Sequence, residues 1–512
     1  MTGGGLYVLI SYGSQNVIMS GNPQMTYYYK IFKRYSHFSM ENVSIALDGP
    51  NLLSVDNTIQ LRAKIQRIGD LMSDMFFSFS IPDIYSKYVI PTGRPTDRNY
   101  QYDFQWVKAL GAAIINSVEF FIGGQSIQRF DGTYLYAKSE LEYDGVTLEK
   151  WNTLVGNTNE LTNPSGGAYQ TNSATGPVYP TVHAQPNATG AQVNRPSIIG
   201  QDIHVPLNFW FTDATFQALP LIALQYQDCE VVITLNPVQN LYTILDPSGN
   251  RVAPQYRTTS TSLNNPSYAL TTEQTTIQNY MTDIGYTVPL TTWPLNARIQ
   301  CTFVYLADEE RTTFASRPLT YIFPQLRILP LGPVSESSRT FDLEVGNPIS
   351  RFIFATRRSD WINRNDFTNF TNWYSYPFAP SNIGALTGIN ALASGILIPN
   401  SQKDILKYVR VLCNGNEIQE QKPVDFLTKI YPFRYTTGSA NAEIPIYTWA
   451  ITSSKTQPSG SLNASRITNF QLEAYFYTLP INTNYVYELS LYVETINFLV
   501  IVSGSGAPKY VL

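Results

Sequence analysis

VEFFIGGQSIQ at residues 118–128 and VRVLCNGNEIQ at residues 409–419 follow one pattern: four of eleven positions are identical, and each places a tight-turn dipeptide, Gly123-Gly124 or Asn414-Gly415, between apolar arms. Two-residue hairpin turns demand positive φ at their central positions, and Gly and Asn supply it with the least strain. Each segment therefore predicts a β-hairpin. Continuing at the same spacing brings Leu135-Tyr136 onto Phe426-Leu427, the apolar face of a short helix in each half. A hairpin followed by a helix, present twice, predicts duplication of one β domain.

The surrounding sequence has the rhythm of strands. Phe77, Phe79 and Ile81 alternate with Ser78 and Ser80, Val231, Ile233 and Leu235 with Val232 and Thr234, and Leu472, Ala474 and Phe476 recur in QLEAYFY. Alternation with period 2 predicts half-buried strands, and VYELSLYVETINFLVIV near the end is dense in β-formers. Helical patterns are short: Thr133–Leu141, Asp213–Leu219 stopped by Pro220, and Pro423–Ile430 with proline in its first turn. Residues 152–200 and 238–296 are rich in Asn, Thr, Ser, Gly and Pro, which predicts long loops on an exposed face, the second separating the halves. The expected organisation is an arm at 1–25, a first β domain at 26–237, a linking insertion at 238–296 and a second β domain at 297–512.

Composition narrows the function. Charged residues make up 14% of 512 residues, and 34 basic against 38 acidic side chains give a net charge of −4. Such a chain has no basic field with which to neutralise a phosphate backbone, so direct nucleic-acid binding is disfavoured. Cys229, Cys301 and Cys413 are odd in number and far apart, which provides neither a disulfide framework nor a CxxC metal site. The N-terminus carries no basic region followed by a long apolar stretch, and the apolar run Phe498–Val502 is too short to span a bilayer.

Candidate chemistry is sparse. His37, His183 and His204 stand in unrelated contexts, so no cofactor, metal or catalytic triad is proposed. Asp308-Glu309-Glu310 beside Arg311 reads as a solvated turn with a local salt bridge, because three consecutive side chains on a strand cannot share one pocket. Asn42, Asn187, Asn369 and Asn463 begin N-x-S/T triplets, and Asn187 and Asn369, in loop-like contexts, are the better glycan acceptors. Trp361, Trp373 and Tyr374 in WINRNDFTNFTNWYSY would suit the alternative of a carbohydrate-binding β-sandwich. A glycosidase would need two carboxylates roughly 5–10 Å apart, and no motif proposes them.

Longer segments carry a resemblance. GGGLYVLISYGSQNVIMSGNPQMTYYYKIFKRYSHF at the start, then VEFFIGGQSIQRFDGTYLY, VPLNFWFTDATFQALPLIALQYQDCEVVITL, FVYLADEERTTFA, GSLNASRITNFQLEAYFY and the closing ETINFLVIVSGSGAPKYV resemble, in order, segments of the major capsid proteins of nucleocytoplasmic large DNA viruses. The resemblance implies an all-β chain of two consecutive eight-stranded jelly rolls with long loop insertions and few short helices. It implies a homotrimer that tiles an icosahedral capsid shell in the virion, assembled in the host cytoplasm. Implied partners are neighbouring trimers, minor capsid and penton proteins and, through the N-terminal arm, the internal virion membrane.

Overall fold

The computed structural model describes residues 3–11, 13–30, 32–86, 88–89, 101–162, 196–245, 251–255, 272–281, 293–372, 403–452, 457–479 and 485–510. Two units emerge, Met1–Phe38 and Ser39–Leu512, and the arm expected at 1–25 lies within the first. It holds a helix at Gly4–Ser11 and a short turn at Val17–Ser20.

Among the described residues, sixteen strands form the two barrels of the second unit, with shorter strands between and beside them. The first eight are β1 (Phe38–Ala46), β2 (Ile59–Ile65), β3 (Leu71–Ser80), β4 (Ile115–Ile122), β5 (Gln125–Phe130), β6 (Asp202–Pro206), β7 (Cys229–Leu235) and β8 (Arg298–Leu306). The next eight are β9 (Leu319–Val334), β10 (Ser338–Asp342), β11 (Pro348–Arg358), β12 (Leu406–Cys413), β13 (Asn416–Pro423), β14 (Ile446–Thr448), β15 (Phe470–Phe476) and β16 (Tyr487–Val502). The first set pairs as β1-β8-β3-β6 and β2-β7-β4-β5, the second as β9-β16-β11-β14 and β10-β15-β12-β13. Adding eight to every label of the first barrel reproduces the second, and each is a jelly roll of two four-stranded sheets. A further short strand, Leu219–Pro220, shares the edge of β3 with β6.

The burial pattern follows the sequence alternation. Leu61, Ala63 and Ile65 of β2 point inward while Arg62 and Lys64 face solvent, and Leu472, Ala474 and Phe476 of β15 repeat the arrangement. β3 departs from it: Ser78 is buried and shares a 2.7 Å hydrogen bond with His204 Nδ1, its cross-strand partner on β6. One hydrophobic core fills the first barrel and runs on to Phe323, Ile353 and Tyr492 of the second, whose own core centres on Phe352, Val411 and Leu472.

Several expectations change. β8 hydrogen-bonds to β1 and β3 of the first barrel, so a second domain beginning at 297 would detach the last strand of the first. Residues 238–296 are consequently the β7–β8 connection, internal to the first barrel, and the actual link is the helix α-link Asp308–Ser316. That helix replaces the solvated turn expected at Asp308-Glu309-Glu310. Its acidic first turn complements the helix dipole, and Arg311 pairs at 3.1 Å with Asp70, not with its sequence neighbours. Asp213–Leu219 is not one helix: Trp210–Asp213 and Thr215–Gln217 are single turns, and Leu219 is drawn into the sheet opposite Met72. Pro423 closes β13, and the helical segment that follows has a π turn at Phe426–Ile430 before its last turn at Tyr431–Tyr435.

Antiparallel alternation assigns every connection to an end. In each barrel the first-to-second, third-to-fourth, fifth-to-sixth and seventh-to-eighth connections leave one end, and the others leave the opposite end. The barrels stand the same way up. Gly438 and Ala440 donate to Leu141 and Glu140 carbonyls at one end, while Tyr226 donates to the Gly504 carbonyl at the other.

Candidate functional site

The two hairpins sit at the same end of their barrels. Ile122 opposes Gln125 across Gly123-Gly124, with φ of 58° and 80°, and Cys413 opposes Asn416 across Asn414-Gly415, with φ of 51° and 80°. Asn414 is further held by its backbone N–H donating to the Asn469 carbonyl while its Oδ1 accepts from Asn469 N–H. A Cβ at Gly124 or Gly415 meets nothing within 4 Å, so a side chain there is opposed by backbone conformation alone. Gly124→Val and Gly415→Val are each expected to cost about 1–2 kcal/mol. Chemical denaturation measures this, and an unchanged midpoint in both variants would rule out positive φ as the constraint.

The charged side chains that sequence reading could not group converge where the barrels meet. Asp131, following β5, caps helix α1 (Gly132–Glu142) by accepting from Tyr134 N–H at 2.7 Å. Its other oxygen accepts from Tyr492 Oη of β16, also at 2.7 Å, so one carboxylate starts the helix and ties it to the other barrel. Along α1, Tyr134, Lys138 and Glu142 form a stripe one turn apart. Tyr134 Oη donates to Glu494 Oε1 at 2.8 Å, and Lys138 lies between Asp213 at 3.3 Å and Glu142 at 3.9 Å.

Arg351 of β11, 1% exposed, is the centre of the cluster. It donates from Nε and Nη2 to the two oxygens of Glu494, at 2.8 and 2.5 Å, and from Nη2 to Glu142 at 2.7 Å. Burial pushes the Glu142 carboxyl upward, while Lys138 and Arg351 pull it back. Both carboxylates are thus engaged by one guanidinium, and Glu142 by Lys138 as well. A cavity of about 70 Å³ beside them is lined by Lys138, Glu142, Asp213 and Glu494, room for a few waters and not for a sugar chain.

A second buried arginine, Arg357, is enclosed by aromatic rings, its guanidinium 4.5 Å from Phe370, 4.7 Å from Trp361 and 5.2 Å from Phe367. Trp361 is thus occupied as a wall of this cage; Trp373 and Tyr374 lie outside the described residues, as do Asn187 and His183. Asn369, the other expected acceptor, does not lie on the open surface. It is buried, its amide donates to Asp366 at 2.8 Å, and its Oδ1 accepts from Thr371, so the folded chain gives a transferase no access. Among the described residues no group of three His, Cys, Asp or Glu side chains is placed to hold a metal ion.

This fold is shared with known proteins. A family profile described as "Major capsid protein N-terminus" matches residues 26–281, and one described as "Large eukaryotic DNA virus major capsid protein" matches residues 310–507. The major capsid protein of Phaeocystis pouchetii virus is 22% identical, and that of Paramecium bursaria Chlorella virus 1 is 25% identical, each over 99% of both chains. Among solved structures, the Paramecium bursaria Chlorella virus 1 protein VP54 superposes with a TM-score of 0.64 at 19% identity, covering 95% of this chain and all of that one. The Faustovirus major capsid protein superposes at 0.61 with 14% identity, covering 96% and 94%. Double barrels of matching strand order, family profiles over both halves and end-to-end relatives converge on one assignment: this chain belongs to the major capsid proteins of large eukaryotic DNA viruses, and it forms the capsid shell of a virion.

Proposed function

We propose that this chain works as a homotrimer whose outline is nearly hexagonal and that these trimers tile the facets of the shell. The observation that carries the reading is the repetition of one strand order in two barrels fixed side by side, the same way up. Three such chains present six similar walls under threefold symmetry, which is the condition for tiling a flat lattice. The work is done by interfaces, with no catalytic step.

The arm fits partners beneath the shell. Residues 1–38 contain no Asp or Glu but include Lys30, Lys33 and Arg34, and Leu6, Ile10, Ile18, Met19, Tyr27, Tyr28 and Phe32 are exposed. Aromatic, apolar and basic groups without acids suit an anionic membrane interface, and the internal virion membrane is the proposed partner, alongside minor capsid and penton proteins. Assembly in the host cytoplasm fits the three cysteines, which are free thiols. Light scattering on the purified protein is expected to give about three times the 57.6 kDa chain mass. A stable folded monomer would overturn the trimer.

A further inference from the structure

The duplication has an unmatched surface. The spacing that carries Val118 onto Val409 also carries the α1 stripe Tyr134, Lys138 and Glu142 onto Asp425, Lys429 and Phe433. In the first barrel that stripe is covered by the second barrel, and Ile127 of β5 is buried beside it. In the second barrel every counterpart is open: Phe433 is 92% exposed, the Asp425 and Lys429 side chains lie in solvent, and Ile418, the counterpart of Ile127, is 40% exposed. The π turn at Phe426–Ile430 advances the helix by a residue and adds Ile430, 50% exposed, and Arg434 to the same open stripe.

The face that receives α1 within the chain also has an open counterpart. Arg351 and Glu494 lie opposite one another on β11 and β16. The matching strands of the first barrel are β3 and β8, where Asp74 lies opposite Thr302 and Phe76 opposite Gln300. Asp74, Phe76, Gln300 and Thr302 are only half-buried, and Asn42 of β1, which donates to Thr302 at 3.4 Å, is exposed. One face is largely apolar and carries Arg434 and Lys429, the latter paired with its own Asp425 at 2.7 Å; the other carries a carboxylate beside an aromatic ring.

We propose that these two open surfaces meet between copies of this chain, with Phe433, Ile430 and Ile418 of one copy seated on the β1-β8-β3 face around Asp74 and Phe76 of the next. The contact repeats between chains the seam already made within each chain, so that six barrels close into a ring through six related joints. It rests on the trimer reading and supplies its interface. Because donor and acceptor faces differ, the contact is head-to-tail.

That asymmetry gives the test. Phe433→Glu and Asp74→Lys should each reduce the native mass to a single chain, with the circular dichroism spectrum of the folded chain retained because neither side chain belongs to a barrel core. Ile430→Glu serves as the second variant on the first face. A mixture of the Phe433→Glu and Asp74→Lys proteins retains one intact joint, formed by Phe433 of one and Asp74 of the other, and should give a two-chain species by native mass spectrometry. A trimeric wild type whose variants remain trimers, or a mixture that stays monomeric, overturns this surface and leaves the trimer standing. A monomeric wild type overturns the trimer itself.

Discussion

Replacing Arg351 by Ala should destabilise the second unit by about 3–5 kcal/mol, the range for stranding a buried charge. Both Glu494 oxygens and one of Glu142 lose their donor, leaving Lys138 and the Tyr134 hydroxyl as compensation. Lysine is a poor substitute, since one ammonium cannot reproduce the two-pronged contact with Glu494. The cause can be separated from mere loss of packing. Removing the carboxylates as well, in Arg351→Met with Glu142→Leu and Glu494→Leu, should recover most of the loss, because a well-packed apolar replacement is often neutral.

The pH dependence of Arg351→Ala carries a definite sign. Burial already raises the Glu142 carboxyl, and loss of Arg351 takes away one of the groups lowering it. A carboxyl whose folded pKa exceeds its unfolded value favours the fold below the unfolded pKa, and that advantage disappears as pH rises through the folded one. The deficit of the variant should therefore be smaller in mildly acidic buffer than at neutral pH. Denaturation curves showing a pH-independent deficit would rule out stranded charge as its origin.

Trp210→Ala should cost a comparable 3–5 kcal/mol by opening a large cavity in the seam. Trp210 is fully buried, with its ring 5.5 Å from Phe120, 5.0 Å from Phe211 and 5.4 Å from Phe323. Phe323 belongs to β9, so this one ring joins the cores of both barrels. Trp210→Phe, which keeps part of the volume, should retain a matching part of the stability by the same measurement. Equal losses in the two variants would mean the ring is not packed as described.

What could be read from the sequence is what depends on neighbours in the chain. The hairpins announced themselves because positive φ at Gly123-Gly124 and Asn414-Gly415 is a local demand, and β15 because Leu472, Ala474 and Phe476 alternate within seven residues. β8 was assigned to the wrong domain because its partners β1 and β3 lie more than two hundred residues earlier, across an insertion that looked like a linker. The cluster at the seam was invisible for the same reason: Glu142, Arg351 and Glu494 come from three distant segments, and nothing near any of them marks it as paired. The burial of Asn369 could not be read from N-x-T, which describes only three residues, while accessibility is set by Asp366 and the surrounding fold.

The separation of connections by end gives the molecule a built-in division between constraint and freedom. At one end the links are 66–70, 123–124, 343–347 and 414–415, with longer ones at 207–228, 307–318 and 449–469; the other end takes 81–114, 131–201, 236–297 and 359–405 beside 47–58, 335–337, 424–445 and 477–486. A two-residue turn fixes strand register, and an added residue there would flip the inward and outward faces of a whole strand. A long link behaves differently, since doubling its length raises the closure cost by only about 0.6 kcal/mol. Lineages can thus rewrite what one end presents to its surroundings, in length and in composition, while the walls that fit one copy against another keep their dimensions.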